Sequence, residues 1–444
     1  MLFFIIAFFL FFYVYIKRMI RDSFSKKVIL SFWTIWFISL VISTFNPYGL
    51  YPVSDEVYVI MLLNVSAIIL GFSSVKVNKN ICLDKKVYLY SRSLNRFIYS
   101  KKYLIILFVS IILLGSLLVK YWNVVLSMNL VGVDAFEILN DDLYSIDFVF
   151  YTFFAPPLFY CSNAILAYCL FFKRVYNRMI IIYIYIYILD YALIGGGRTN
   201  FLVLLFAVFF VFMITGIKLK FKYIFSLCVF SLFIYVVISY FSAFRFDMQE
   251  FSLDTIREGA SIFNENFVTY LVLPHRLFDY ALQNDYLSQI GGYHYGLVSF
   301  DGINRYLRLF LRLFSIDIPA IYEKTTAMFQ DTRIFIGGDS FSNYAYTNAI
   351  YHYLDFGIVG VFVIPFSFSL FIRWVIIKFY KTASVSSFCL LFYLYFVLMN
   401  CFFTWHLNKF YSLGFILFMV CVMCYDKNIL YRRINIDKQS ENDY

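Results

Sequence analysis

Two short segments of the chain bring ionisable side chains to the ends of apolar stretches. In the first, LDYALIGGGRTNF, a run of glycines separates Asp190 from Arg198. An ionisable residue inside an apolar span is unfavourable and needs a partner. Asp190 therefore marks either a functional site or a structural pair with Arg198, and the sequence favours neither alternative. An arginine at such a position can hold a diphosphate through two parallel hydrogen bonds.

The second segment reads YTNAIYHYLDFGIVG and carries Asn348, His352 and Asp355 just before an apolar run. His352 and Asp355 are three residues apart, so they share one face of a helix, where a carboxylate can orient an imidazole. Histidine is the usual general acid or base near neutral pH, which makes His352 a candidate catalytic base. Gly357 and Gly360 would permit close contact between helices.

Further cationic side chains lie in the long stretch between residues 244 and 345. Its segment RYLRLFLRLF is amphipathic, because arginines recur on one helical face and apolar residues cover the other. One interpretation is an interfacial helix with its arginines among lipid headgroups; the other is a cationic rim that gathers lipid-linked phosphates. His275 and Arg276 are further candidates for substrate binding, and His275 is an alternative base. The arginines of the segment are Arg305, Arg308 and Arg312.

The motifs of several other chemistries are missing from the sequence. The four histidines show no HExxH spacing, no Asp-x-Asp triplet could hold the metal of a nucleotide sugar, and there is no Walker A or G-x-G-x-x-G motif. The triple glycine at 195–197 lacks the lysine and the spacing of a phosphate loop. We therefore expect neither a metal nor a cofactor. The eight cysteines lie mostly within apolar runs and indicate no disulfide framework.

The composition shows which kind of protein must position these side chains. The chain is 62% hydrophobic and 14% charged, whereas soluble proteins are roughly 45–50% apolar and about 25% charged. This excludes a soluble enzyme. With 18 glycines and 7 prolines among 444 residues, it also excludes a disordered or collagen-like chain. The long apolar runs predict an all-α, polytopic integral membrane protein.

Eleven apolar runs predict about eleven transmembrane helices in a single membrane domain. Residues 244–345, between the eighth and ninth runs, form a large loop that is rich in apolar and aromatic residues, which predicts short helices packed over the membrane face. Residues 426–444 form a polar tail. The predicted spans are 1–16, 28–45, 57–75, 103–121, 148–172, 179–194, 200–216, 223–243, 356–374, 385–403 and 408–425.

Charge alternates without exception between successive connections. One set holds 26 Lys+Arg against 6 Asp+Glu, and the other holds 11 against 19. Cytoplasmic loops retain Lys and Arg, so the first set is predicted to be cytoplasmic, with the N-terminus outside and the C-terminus inside. The net charge of +10 is thus an orientation signal, and no nucleic-acid partner is expected. The first set is 17–27, 76–102, 173–178, 218–222, 373–381 and 426–444; the second is 46–56, 120–147, 195–199, 244–345 and 404–409.

The chain resembles bacterial O-antigen polymerases of the Wzy type. The resemblance covers roughly residues 189–366 and rests on four features. These are GGGRT with Arg198 at an external helix end, SAFR with Arg245 soon after the next span, a single large external loop, and TNAIYHYLDFGIVG at the start of the following helix.

The resemblance implies a glycosyltransferase of the bacterial inner membrane with an all-helical fold for lipid substrates. Such enzymes join oligosaccharide repeat units carried on undecaprenyl diphosphate into O-antigen or a similar surface polysaccharide. Arg198 and Arg245 would stabilise the departing diphosphate, and His352 would take the proton of the acceptor hydroxyl. Asn348 and Asp355 would contact the substrate. The implied partners are the lipid-linked oligosaccharide and membrane lipid; a chain-length regulator is left open.

Three alternatives stay open: a transporter, a ligase or a different lipid-sugar glycosyltransferase, and a non-catalytic membrane scaffold, against which the clustered external Arg and His weigh modestly. A lipid-linked oligosaccharide flippase or another transporter would place charged or broken helices near the membrane midplane, with short loops on both sides. This sequence keeps most of its charge at helix ends and has one long loop instead. An O-antigen ligase would share the architecture, but the ligases carry a histidine shortly before the asparagine of the corresponding segment. Here Thr347 precedes Asn348.

Overall fold

A computed structural model describes eleven stretches of the chain and a few isolated residues. The described residues are nearly all helical, which confirms the all-α prediction. The predicted span 223–243 lies largely outside the described residues, and the tail 426–444 lies entirely outside them. The described stretches are 1–75, 100–128, 150–172, 178–194, 198–216, 253–302, 334–337, 340–341, 346–382, 384–409 and 411–423.

The helices follow the apolar runs closely. The described residues contain one short sheet of two antiparallel strands, β1 (Phe335–Gly337) and β2 (Ser340–Phe341). The helices are α1 (Leu2–Met19), α2 (Ser23–Thr44), α3 (Asp55–Ser74), α4 (Lys101–Met128), α5 (Ala155–Phe172), α6 (Arg178–Ile194), α7 (Arg198–Thr215), α8 (Leu253–Gln283), α9 (Tyr286–Gln289), α10 (Asn348–Thr382), α11 (Val385–Asn400) and α12 (Tyr411–Met423).

Five described helices are long and apolar enough to cross a membrane: α1, α2, α3, the Lys101–Lys120 part of α4, and α10. Four shorter apolar helices lie in α6, α7, α11 and α12. These helices are what a polytopic membrane protein requires. The number of eleven spans stays a prediction.

Local capping explains where several helices begin and end. Asp22 precedes α2 and its carboxylate accepts a hydrogen bond from the Ser25 backbone N–H at 2.9 Å. Ser384 caps α11 in the same way through the Ser387 N–H. These side chains satisfy N–H groups that have no partner within the first helical turn. Each such cap fixes the point at which a connection becomes a helix.

The helices α3 and α10 form the central pair of the bundle. A Cβ atom added at Gly71 of α3 would overlap the Ser369 hydroxyl and the Phe366 carbonyl of α10, so the backbones approach closely there. Helix α2 packs between α1 and α8, while α5 packs against α6, α7 and α11. The largest fully buried side chains of the core include Trp36 and Tyr168.

Connections of the same predicted side meet at the same end of the bundle. At one end, the Tyr51 N–H donates to the Ile336 carbonyl at 2.8 Å, and residues 43–54, 276–300, 334–337 and 401–409 come together. We call this end the outer face. At the other end, which we call the inner face, Arg373 contacts Asp22 at 2.7 Å. This grouping agrees with the charge alternation. Which face is cytoplasmic stays a prediction.

The large predicted loop contains a helix much longer than expected. The composition predicted short helices, whereas α8 runs for 31 residues from Leu253 to Gln283. Its C-terminal half packs against the outer half of α2, where Ser39 donates to the Leu271 carbonyl at 2.6 Å. The apolar face of this half is covered by α2, and the helix continues through Pro274.

Helix α10 begins at Asn348, eight residues before the predicted span start at 356, and it is broken where that span begins. Phe356 and Gly357 have non-helical dihedral angles, and Gly357 has a φ of 60°. A Cβ atom at Gly360 would overlap the His352 carbonyl, although residues eight apart in a straight helix are about 12 Å apart. The short arm, 348–355, therefore bends sharply back onto the start of the long arm, 358–382.

Candidate functional site

Three of the predicted site residues meet in one buried cluster at the base of the outer face. Asn348, His352 and Asp355 on the short arm join Asn64 of α3 and Ser299 of the large loop. All five side chains are fully buried. We call this cluster the outer hub. Asn64 is nine residues from the start of α3, which places it about 14 Å along the helix axis from that end.

The hydrogen bonds of the outer hub determine which ring nitrogen of His352 carries the proton. Asn64 and Asn348 exchange two amide hydrogen bonds of 2.9 and 3.2 Å. The second amide hydrogen of Asn348 is directed to Nε2 of His352 at 3.3 Å, so that nitrogen is the acceptor. The other ring nitrogen, Nδ1, therefore carries the proton and donates to Oγ of Ser299 at 2.9 Å. Both ring nitrogens of His352 are thus in use.

Asp355 binds the backbone of the turn 293–300 in the large loop. Its carboxylate accepts hydrogen bonds from the N–H groups of Val298 at 3.0 Å and Ser299 at 2.7 Å. The backbone carbonyls of Leu354 and Asp355 accept from the N–H groups of His294 and Tyr295 at 3.2 and 3.1 Å. The turn therefore caps the C-terminal end of the short arm, where helix carbonyls have no partner of their own.

The outer hub does not have the geometry of a Ser-His-Asp nucleophilic triad. In a triad, the carboxylate binds the imidazole and the imidazole accepts from the serine. Here the Asp355 carboxylate binds the Ser299 N–H, and His352 donates to the Ser299 hydroxyl. The spacing of His352 and Asp355 predicted direct orientation of the ring by the carboxylate; the structure links them through Ser299, because the carboxylate is directed at the turn.

Trp405 closes the outer hub from a fourth element, the connection after α11. Its indole N–H donates to the Ser299 carbonyl at 2.9 Å, and its ring lies edge-on to His352 with centroids 4.7 Å apart. The Asn348 N–H donates to the Cys401 carbonyl at 2.9 Å. The hub therefore joins α3, α10, the large loop and the connection after α11.

Arg276 is nearly sealed from the surface and ties α8 to the end of α2. Its guanidinium donates to the carbonyl and the hydroxyl of Ser43, to Oδ1 of Asn46 and to the carbonyl of Val272, at 3.1–3.3 Å. Burial lowers the pKa of Arg276 to about 10, with Tyr58 and Asp279 opposing that shift. A cation at a helix C-terminus is stabilised by the last carbonyls. Its contact with substrate stays a prediction.

His275 is fully buried beside Arg276. The Ser39 hydroxyl donates to Leu271, so Ser39 Oγ accepts from Nε2–H of His275 at 2.6 Å. Burial lowers the pKa of His275 to about 3, and the neighbouring charge of Arg276 acts in the same direction. The imidazole is therefore neutral at physiological pH. In this conformation it holds α8 against α2, and a substrate contact stays a prediction.

The remaining predicted site residues are described in part or not at all. Arg198 is the first residue of α7, although its side chain lies outside the described residues. Asp190 lies one turn before the end of α6 and is half-buried. Their pairing stays a prediction. The other predicted arginines lie outside the described residues: Arg245, Arg305, Arg308 and Arg312.

An exposed aromatic group lies next to the outer hub, on the turn 293–300 and at the break in α10. Tyr295 is 76% exposed, Tyr293 is 45% exposed and Phe356 is 39% exposed. The rings of Tyr295 and Phe356 are in edge contact at 5.9 Å. We call these three residues the aromatic lip. Exposed aromatic faces of this kind can stack on the apolar face of a sugar ring.

Sequence reasoning missed three members of this region. Asn64 was the one with a usable signal, because an amide in the middle of an apolar span needs a partner. Ser299 and Trp405 carried no local signal, since each has its partner more than fifty positions away: the Ser299 hydroxyl accepts from His352, and the Trp405 indole donates to the Ser299 carbonyl. Among the described residues, no group of three His, Cys, Asp or Glu side chains could hold a metal ion.

Comparison with known proteins gives no assignment for this arrangement. No family model, no curated protein and no solved structure matches the chain.

Proposed function

We propose that this chain is a membrane glycosyltransferase. It joins oligosaccharide repeat units carried on a lipid diphosphate into O-antigen or a similar surface polysaccharide, at the periplasmic face of a bacterial inner membrane. The observation that supports this most directly is the outer hub. One of the four features on which the resemblance rests, the segment 347–360, contacts the large loop there and holds the turn that carries two residues of the aromatic lip.

The chemistry of the proposed reaction suits a protein of this composition. A lipid diphosphate already activates the donor sugar, so no nucleotide site is needed. The protein must stabilise a departing diphosphate, for which arginines and helix N-termini are suited. Arg198 is the first residue of α7, so its backbone belongs to such a terminus.

The outer hub fits a positioning role for His352 and Asp355 in this conformation. Both ring nitrogens of His352 have partners, and the Asp355 carboxylate holds the turn 293–300. Direct catalysis by His352 would require the hub to open. The hub therefore supports the proposed function by fixing the loop that carries Tyr293 and Tyr295, while the role of His352 as a base stays a prediction.

Deletion of the gene, followed by a gel of the surface polysaccharide, tests the proposal. We expect the long ladder to disappear while a single repeat unit is still displayed, because flipping and ligation would both be intact. Loss of even the single unit would contradict a polymerase and indicate a flippase or a ligase.

Arg198 offers a sharper test in the same assay. Arg198→Ala should abolish long polymer with the protein level unchanged. Arg198→Lys should also be impaired, because a lysine ammonium does not replace a bidentate guanidinium. A normal ladder in Arg198→Ala would remove Arg198 from the site, and full activity of Arg198→Lys would reduce its role to charge neutralisation.

One observation favours a second candidate, a flippase for lipid-linked oligosaccharides. Helix α10 is broken at Phe356–Gly357, and its short arm places Asn348 beside Asn64. Broken helices with buried polar groups inside the membrane are a feature of transporters. The same deletion decides between them, since a flippase mutant displays no repeat unit at the surface.

A further inference from the structure

A shallow pocket opens at the outer face between the end of α8, the short helix α9 and the short arm of α10. Its volume is about 270 Å³, which includes the space open to solvent. Three aromatic side chains, Phe278, Tyr286 and Tyr353, line it, and the rings of Phe278 and Tyr353 are in edge contact at 6.0 Å. Asp285, which is exposed, lines the same pocket. Sites for small organic molecules combine mainly apolar walls with a few polar groups in this way.

The pocket continues into the aromatic lip. The Gly292 N–H donates to the Leu287 carbonyl at 2.9 Å and closes the turn that leads from α9 to Tyr293. Tyr293 lies within electrostatic range of Tyr353, and its hydroxyl lies against Gly357, where an added Cβ atom would be only 2.8 Å away. Pocket and lip thus form one aromatic surface, which we call the aromatic groove. Its members are Phe278, Tyr286, Tyr293, Tyr295, Tyr353 and Phe356.

The charge beside the aromatic groove is negative. The carboxylates of Asp285 and of Glu56, at the start of α3, both lie within electrostatic range of Tyr353. The segments 283–297 and 348–360, which carry most of the groove, contain no lysine or arginine. A diphosphate needs cationic or N–H donors and would be repelled here, whereas the hydroxyl groups of an uncharged ligand can donate to carboxylates.

The backbone presents two of these side chains in a conformation that residues other than glycine rarely adopt. Tyr295 has a φ of 53° and Asp285 has a φ of 47°. The Tyr295 N–H is bound to the Asp355 carbonyl at 3.1 Å, while its side chain is 76% exposed. Such left-handed residues are unfavourable and cluster at functional sites. The outer hub therefore holds an exposed aromatic ring in a fixed position, as a preorganised binding surface requires.

A sugar ring matches this surface better than a lipid does. The faces of a sugar ring carry C–H groups that stack on aromatic rings, and its edge carries hydroxyl groups that donate to carboxylates. An acyl chain would cover the rings but would leave the neighbouring carboxylates without water or a partner. Ile358 and Val359, which follow the break in α10, are exposed and apolar and suit lipid instead.

We infer that the aromatic groove binds an uncharged sugar of the lipid-linked repeat unit; this inference rests on the proposed polymerase function. The sugar face lies against the rings of Tyr293, Tyr295 and Tyr353, and Asp285 accepts hydrogen bonds from the sugar hydroxyls. The diphosphate lies outside the groove. Because these contacts are remote from the reacting bond, they hold substrate and transition state equally and contribute to KM rather than to kcat.

The test measures binding of a soluble probe to the full chain in lipid nanodiscs. The probe is the repeat-unit oligosaccharide, released by mild acid from the lipid carrier of cells that lack this chain, and saturation-transfer NMR detects its binding. Asp285→Asn should weaken binding about tenfold, the range for one hydrogen bond to a charged group. Asparagine tolerates the left-handed backbone and can still accept the Ser288 N–H, so the fold should be unchanged.

Two further variants separate the groove from the rest of the outer face. Tyr295→Ala should weaken binding about threefold to tenfold through the lost ring contact. Tyr51→Ala removes a tyrosine that is 53% exposed at the outer face but lies outside the groove, and it should leave binding unchanged. With lipid-linked units in vesicles, Asp285→Asn should raise KM about tenfold at an unchanged kcat. A trisaccharide of galacturonic acid should not bind the unchanged chain, because its carboxylates meet those of the groove.

Four outcomes would overturn the inference. These are no binding of the probe to the unchanged chain, equal binding by the unchanged chain, Asp285→Asn and Tyr295→Ala, an equal loss in Tyr51→Ala and Tyr295→Ala, and binding of the galacturonic acid trisaccharide as tight as that of the probe. An equal loss in both tyrosine variants would indicate a general aromatic belt. If the unchanged chain bound the probe but made no polymer from lipid-linked units, the proposed function would fail instead, which is a separate result.

Discussion

The outer hub and a second buried polar cluster, at the inner face, are held together by different kinds of interaction. At the inner face, Arg373 forms an ion pair with Asp22 at 2.7 Å, donates to the Val75 carbonyl at 3.1 Å and contacts the Ser25 hydroxyl. We call this cluster the inner clamp. The Tyr380 hydroxyl donates to the same Asp22 carboxylate at 3.1 Å.

The inner clamp satisfies a cation with an anion, whereas the outer hub has no cation among its members. Burial alone would raise the pKa of Asp22, but the Arg373 charge and the Ser25 hydrogen bonds hold that pKa below its usual value. In the hub, the single carboxylate is satisfied by backbone N–H groups of a turn. An ion pair fixes the ends of helices, while backbone hydrogen bonds fix the conformation of a loop. We infer that the inner clamp anchors the ends of helices and that the outer hub positions the large loop.

Removal of the cation from the inner clamp should have the largest effect on stability. Arg373→Ala leaves the Asp22 carboxylate buried without its partner, which should lower the free energy of unfolding by about 3–5 kcal/mol. Unfolding of the purified chain in mixed micelles with increasing SDS measures this. Lys381→Ala removes an exposed cation from the same helix and should change stability by less than about 0.5 kcal/mol. Equal effects of the two changes would contradict a specific clamp.

Removal of the imidazole from the outer hub should have a smaller effect on stability and a more local one. His352→Ala leaves Asn348 and Ser299 each without one partner, which should lower the free energy of unfolding by about 3 kcal/mol. Hydrogen exchange at residues 293–300 should increase before global unfolding, because the turn depends on the hub. Unchanged protection of the Val298 and Ser299 amides would show that the Asp355 carboxylate alone holds the turn.

The bend in α10 predicts a third effect. A methyl group at Gly360 would overlap the His352 carbonyl, so Gly360→Ala should force the two arms apart and lower stability by about 2 kcal/mol. Gly115 is the matched control, because it lies in α4 with nothing within 4 Å of an added Cβ atom. Gly115→Ala should raise stability by up to about 1 kcal/mol. Effects of the same sign at both glycines would argue against close contact of the arms.

Acid should destabilise the outer face through His275 by the smallest amount. The folded-state pKa of about 3 lies below the unfolded value of about 6.5. The unfolded chain therefore binds the proton first. The stabilisation from the neutral His275 is fully present above pH 6.5 and is lost as the pH falls towards 3. The loss reaches about 1.4 kcal/mol at pH 5.5. Stability measured between pH 7.5 and 5.5 should fall less in His275→Gln. Parallel curves for both chains would show that His275 titrates normally.

A good part of the fold could be predicted from the sequence. The apolar runs placed most described helices within a few residues, because a helix in lipid must satisfy its own backbone and cover it with apolar side chains. The alternation of charge predicted which connections share a side, and the contacts at the two ends agree with that grouping. The length of α8 could not be predicted, because the helix that covers part of its apolar face, α2, lies more than two hundred residues earlier in the chain.

The sequence predicted which residues belong to the candidate site, but it did not predict their hydrogen-bond partners. The spacing of Asn348, His352 and Asp355 placed them together on one helix, as observed. The sequence by itself thus determined the helices, their grouping by side and the polar residues at their ends, since these depend on local polarity and period. Tertiary structure alone decided that Asp355 binds a turn and that both ring nitrogens of His352 have partners, because most of these partners come from residues distant in the chain.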